Sequence, residues 1–292
     1  MPRSYRPAVT PLEDRVTPVL FLGSSPDPSL PGQANGDSHS ASFSPDGKSL
    51  LFESQASNLV PGDTNGVADI FVKDLTTGAV RLVSTDAAGR PADGNSALPV
   101  FSPDGKSVAF ESDATNLVPG DTNGARDVFV KTLATGAVTR VSVGTLGGQA
   151  AGNSRFAAFS PDGQSVAFAS DAPDLLPGTP AAARGVYVKS LTTGLLVLES
   201  TTAFGVPADA YSSQPTFTPD GKTLAFVSVA GNLTAGATFG EEDLYFKNLT
   251  TQGVTRVPLA NSSIVTESPL RSDGSVQHDE ITYALSPALI RK

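Results

Sequence analysis

The sequence predicts an all-β chain, a β-propeller of four-stranded antiparallel blades, on three observations. The stretch Phe101-Ser102-Pro103-Asp104-Gly105-Lys106-Ser107-Val108-Ala109-Phe110 has near copies at Phe43–Phe52, Phe159–Phe168 and Phe217–Phe226. The marker positions Ser44, Ser102, Ser160 and Thr218 lie 58 residues apart without drift, and a fixed period of that size marks an array of one supersecondary unit. The 28 Gly and 23 Pro residues fall between short apolar runs, which suits a turn-rich β chain rather than a helical bundle.

Taken in order, residues 1–15 read as a flexible N-terminal tag, and residues 16–292 as a single domain with repeats near 39–96, 97–154, 155–212 and 213–258. Within the first repeat, strand A ends at Phe43, strand B is Ser49–Ser54, strand C is Ala68–Lys73 and strand D is Ala79–Ser84. In strand C, Ile70 and Val72 share one face and Asp69, Phe71 and Lys73 the other. Apolar residues on each face are expected of a sheet packed between two neighbours. The A–B link Ser44-Pro45-Asp46-Gly47 has the residues of a tight turn: Pro fixes φ, and Ser and Gly suit its ends. The C–D link Leu75-Thr76-Thr77-Gly78 is also short. The B–C and D–A links, near Gln55–Val67 and Thr85–Leu98, are long. An up-and-down sheet puts the two long links on one edge, so all long loops should share one face of the molecule, where binding usually sits.

The pattern decays after Val257. Residues 259–292 read as a divergent last blade that lacks strand D, and the apolar segment Val16–Leu22 reads as an orphan strand D. Joining 16–23 to 259–292 gives five blades and a closed ring without exposed sheet edges. A longer propeller completed by another copy is the structural alternative.

Composition bounds the function. The formal net charge is −9, so no basic footprint for nucleic acid is expected. Cys is absent, which excludes disulfides, zinc–thiolate sites and thiol nucleophiles. No apolar run approaches the roughly 20 residues of a spanning helix, so no membrane span is expected.

The motifs F-S-P-D-G-K-S-x-A-F, D-[IV]-F-V-K and T-R-V-S-V, read over about residues 33–257, resemble the WD-like repeats of TolB-type β-propellers. That resemblance implies a fold used mostly for protein–protein contact and sometimes attached to a serine peptidase. The chain has no Trp and departs from the G-H…W-D repeat type. The segment Pro11-Leu12-Glu13-Asp14-Arg15-Val16-Thr17-Pro18 resembles the LEDR-type tag near the N-termini of exported or surface proteins of certain bacteria, and implies export to the periplasm, cell surface or exterior.

Two loops carry the strongest ligand signal. Asp63-Thr64-Asn65-Gly66-Val67-Ala68-Asp69 recurs as Asp121-Thr122-Asn123-Gly124-Ala125-Arg126-Asp127. The oxygen side chains of Asp63, Asn65, Asp69, Asp121, Asn123 and Asp127 around a Gly bend resemble the start of a calcium loop. Asx-turn chemistry without metal accounts for the same residue types. The third repeat has Thr179, Ala181 and Gly185 instead, and can hold no such site. The fourth has Ala237, Phe239 and Asp243.

Asp46, Asp104, Asp162 and Asp220 recur once per repeat, and read as turn residues. The residues that precede these turns, such as Ala41-Ser42-Phe43 and Pro99-Val100-Phe101, hold no acidic pair of the kind that glycoside cleavage needs. No G-x-S-x-G elbow or phosphate loop occurs, and only His39, read as a loop residue, and His278 could serve as bases. The sequence therefore favours a monomeric, non-enzymatic binding module for a protein or cell-envelope glycan partner. A propeller hydrolase or lyase is the alternative.

Overall fold

The computed structural model describes residues 25–28, 32–145, 147–177 and 184–259. They form sixteen strands in four four-stranded antiparallel sheets, and no helix occurs among them. Blade one is β1 (Ser38–Phe43), β2 (Ser49–Ser54), β3 (Asp69–Asp74) and β4 (Val80–Leu82). Blade two is β5 (Ser96–Phe101), β6 (Ser107–Ser112), β7 (Asp127–Thr132) and β8 (Val138–Arg140). Blade three is β9 (Ser154–Phe159), β10 (Ser165–Ser170), β11 (Gly185–Ser190) and β12 (Leu196–Leu198). Blade four is β13 (Ser212–Phe217), β14 (Thr223–Ser228), β15 (Asp243–Asn248) and β16 (Val254–Pro258). In each sheet, strand order follows the chain. The architecture is a β-propeller of four-stranded blades. The fifth blade expected from 16–23 and 259–292 lies almost wholly outside the described residues, as do the LEDR-type segment and His278.

The tight turn forms as its residues dictate. Gly47 N–H donates to the Ser44 carbonyl at 2.8 Å, with Gly47 at φ 69°. The Ser44 hydroxyl donates to Asp46 Oδ1 at 2.7 Å, and the same carboxylate accepts the Lys48 amide at 3.0 Å. Ser102–Asp104, Ser160–Asp162 and Thr218–Asp220 repeat the hydroxyl–carboxylate bond. These four carboxyls fall below the usual range, chiefly because of that bond. They are spent on the turn.

The fourth strand of blade one is shorter than its apolar pattern suggests. Ile70 N–H donates to the Ser84 hydroxyl at 3.0 Å rather than to a backbone carbonyl, so the ladder passes from main chain to side chain there.

The core lies between blades as much as within them. Leu51, Ile70 and Val72 of blade one pack with Val108, Phe110 and Phe129 of blade two. Clusters of the same kind join blades two and three, and blades three and four. Inside each blade one aromatic pair stacks, with ring centroids 5.7–5.9 Å apart: Phe52–Phe71, Phe110–Phe129, Phe168–Tyr187 and Phe226–Tyr245. Phe101, Phe159 and Phe217 close the interfaces with the preceding blades. Their counterpart Phe43 has no described blade before it and is 67% exposed.

A buried lysine from each third strand secures the connector of the blade before. Lys131 Nζ donates to the Thr85 carbonyl and hydroxyl at 2.7 and 2.6 Å and to the Asp86 carbonyl at 3.2 Å. Lys247 does the same to Thr201 and Thr202, and Lys189 reaches the Val143 carbonyl at 3.4 Å. Lys73 of blade one donates to the Ser25 carbonyl at 3.0 Å. Asp27 N–H donates to the Leu59 carbonyl, as Thr145 does to Leu175 in blade three. Ser25 and Asp27 thus stand toward blade one as a preceding connector stands toward each later blade.

Candidate functional site

An axial cavity of about 740 Å³ opens at the long-loop end of the blades. It is built by a device repeated along the first strands. Each contains a β-bulge, marked by a register shift, with one non-glycine residue in left-handed backbone: Ser40, Leu98, Phe156 and Gln214, at φ 51–59°. Such conformations are uncommon and strained outside glycine. Here the bulge takes residues out of the ladder and turns them to the axis; Leu98, Phe156 and Gln214 all line the cavity.

Two glutamates from the second strands meet these bulges. Leu98 N–H donates to Glu53 Oε2 at 3.4 Å, and the Phe156 amide lies near enough to Glu111 to oppose the rise of its carboxyl. Blades three and four carry Ala169 and Val227 at the corresponding positions. Burial pushes the Glu53 carboxyl up. Burial also drives Glu111 up to about 7, against the pull of Arg126 and Arg155. Arg126 Nη1 lies 3.4 Å from Glu111 Oε2, while its Nε and Nη2 donate to Asp113 at 2.8 and 2.5 Å. Glu111 Oε1 is buried without a hydrogen-bond partner among the described residues.

Two further guanidiniums face the opening. Arg155 is exposed beside Glu111, and Arg184 lies over the Tyr211 ring, 5.6 Å from its centroid. Arg184 also stands 3.8 Å from Asp171, with its side chain 59% exposed.

Sequence reasoning missed this site because it looked for acids only on the innermost strands. The available signal was the recurrence of Glu in L-F-E-S and A-F-E-S, one period apart. His39, read from the sequence as a loop residue, is in β1, paired opposite Glu53 and exposed.

The structure places the residues of the two D-T-N-G loops in matching arrangements. Asn65 Nδ2 donates to Asp69 Oδ2 at 2.6 Å and to the Ala92 carbonyl at 2.9 Å. Asn123 Nδ2 donates to Asp127 Oδ2 and to the Ala150 carbonyl, both at 2.9 Å. The amide oxygens accept from Val67 and Ala125, as in Asx turns. These asparagines therefore act as cross-links between loop, strand and the next connector. The hydroxyls of Ser84 and Ser142 donate to the other oxygens of Asp69 and Asp127.

The loops differ in what balances their acids. In blade two, Arg140 Nη1 lies 2.9 Å from Asp121 Oδ1 and 3.2 Å from Asp127 Oδ2. In blade one, Asp63 Oδ1 is buried without a partner among the described residues. Burial, aided by the Asp63 charge, raises Asp69 to about 6 despite the bonds from Ser84 and Asn65.

No helix among the described residues is long and apolar enough to cross a membrane. No protein-family model and no curated protein matches the chain. Among solved structures it is similar to TolB from Acinetobacter baumannii, at 20% identity and TM-score 0.49, over 78% of this chain and 45% of that one. The putative TolB from Agrobacterium tumefaciens is similar at 18% identity and TM-score 0.50, over 77% of this chain and 63% of that one. The β-propeller domain of the Trilobed protease from Pyrococcus furiosus follows, at 14% identity and TM-score 0.45, over 76% of this chain and 57% of that one. The chain spans less than two thirds of each of these proteins. At such identities the likeness concerns the fold alone, a β-propeller.

Proposed function

We propose that this chain is a non-enzymatic, exported, monomeric binding module whose loop-rich face receives a protein partner. The axial cavity carries the reading: Arg155 and Arg184 stand exposed at its opening, with Tyr211 as a rigid amphipathic neighbour. Arginine and tyrosine, with tryptophan, are enriched among the anchoring residues of protein interfaces. Export rests on the resemblance of Pro11–Pro18 to the LEDR-type tag.

The hydrolase or lyase reading has one observation in its favour. Glu111 is a carboxyl with a pKa of about 7 at a cavity, which suits general acid–base work. Against it, Arg126 already engages that carboxyl.

The test is capture of partners from a cell-envelope extract by the wild-type chain and by an Arg155→Glu/Arg184→Glu variant. We expect a discrete protein retained by the wild type and lost from the folded variant. Equal retention by the two would overturn the reading. So would capture of glycan alone, or turnover of glycan or peptide substrates that disappears in Glu111→Gln.

A further inference from the structure

We propose that blade one binds a calcium ion between Asp63 and Asp69, at the place where blade two holds the guanidinium of Arg140. The four copies of the unit differ at two positions on the paired outer strands. The third strands begin with Asp69, Asp127, Gly185 and Asp243. The residue across from the stacked aromatic on the fourth strand is Leu82, Arg140, Leu198 and Arg256, paired with Phe71, Phe129, Tyr187 and Tyr245. Blades two and four have the acid and the arginine, and in each the two side chains form an ion pair. Blade three has neither. Blade one alone has the acid without the arginine.

Blade one also has a second acid in place. Asp63 corresponds to Asp121, and the two loops share the same asparagine cross-links. In blade two a single nitrogen reaches both carboxylates, which shows how closely the fold brings the pair together. Asp69 is fully buried and Asp63 is 5% exposed, with Oδ1 unpartnered among the described residues. Gln149, which accepts from Arg140 at 3.2 Å, is replaced in blade one by Pro91. Buried carboxylates without a compensating charge are costly. A hard divalent cation supplies that charge to oxygen donors, with water completing its coordination.

The test is calorimetric titration of the chelator-treated full chain with calcium, with Tm read in parallel. We expect one site per chain, a dissociation constant on the order of 10⁻⁴ M, and a Tm raised by several degrees in millimolar calcium. Leu82→Arg installs the guanidinium of blade two. It should abolish the calcium heat and raise the calcium-free Tm. Should Leu82→Arg fail to fold, Asp63→Asn serves, and should bind calcium at least tenfold more weakly. No heat and no Tm change in the wild type would overturn the proposal. Binding unaffected by Leu82→Arg or Asp63→Asn would do the same, as would heat with magnesium or sodium but not calcium.

Discussion

Arg140 donates to Asp127 across the outer strands of blade two, its Nη1 3.2 Å from a fully buried carboxylate oxygen. The same nitrogen reaches Asp121 at 2.9 Å. Removing the cation leaves two carboxylates uncompensated, and breaking such a buried pair costs about 3 kcal/mol or more. We expect Arg140→Leu to lower Tm by roughly 6–12 °C and to strengthen the calcium response of the chain. Thermal unfolding with and without calcium checks this. A Tm within a degree or two of wild type would show that the pair contributes little.

The lysine contacts between blades should scale with their hydrogen bonds. Lys131 satisfies three oxygens, whereas Lys189 reaches one at 3.4 Å. Leaving buried acceptors unpaired costs on the order of 1–3 kcal/mol. Lys131→Met should therefore destabilise by about 2 kcal/mol, and Lys189→Met by about half that or less. Chemical denaturation of the two variants decides, and equal losses would contradict the ranking.

Glu111 should make stability depend on pH. Its folded carboxyl titrates near 7, against 4.5 for the free group, with burial the first cause. A raised carboxyl contributes stability that is fully present below about 4.5 and lost as pH rises through about 7. The span corresponds to about 3 kcal/mol. Glu111→Gln should gain on the wild type by about that much between pH 4 and pH 8. Parallel stability curves for the two proteins would contradict this.

Blade three offers the reverse experiment. A Cβ at Gly185 would meet Leu198 Cδ1 at 2.5 Å, and an aspartate there would have no arginine across the strand pair. Gly185→Asp should cost about 3 kcal/mol, and Gly185→Asp/Leu198→Arg should recover at least half of it. A double-mutant cycle measures the coupling; additive effects would mean that the pair does not form.

Much of the fold was legible because the 58-residue register repeats every local signal. Ser44, Asp46 and Gly47 specify their turn through hydrogen bonds within five residues, and Ser49–Ser54 emerged with the bounds its apolar run suggested. The axial site was harder to read. Leu98 is an ordinary apolar residue in the sequence, and only the bulge, with φ 51°, frees its amide for Glu53. Likewise Arg140 and Asp121 lie far apart in the chain, and only pairing of the third and fourth strands shows that one guanidinium bridges the two acids. The oxygens of Asn65 and Asn123 make the Asx turns that their residue type suggests, and the fold also uses their nitrogens to reach Asp69 and Asp127.

The proposed binding role of the loop-rich face is tested most directly by site-specific photo-crosslinking in cells. One crosslinker replaces Tyr211 at the axial cavity, and another replaces Leu195 at the short third-to-fourth-strand turn of blade three on the opposite face. We expect a discrete protein adduct from position 211 and none from position 195. An adduct from position 195 alone, or none from position 211 while the folded chain is present, would contradict a binding role for the loop-rich face.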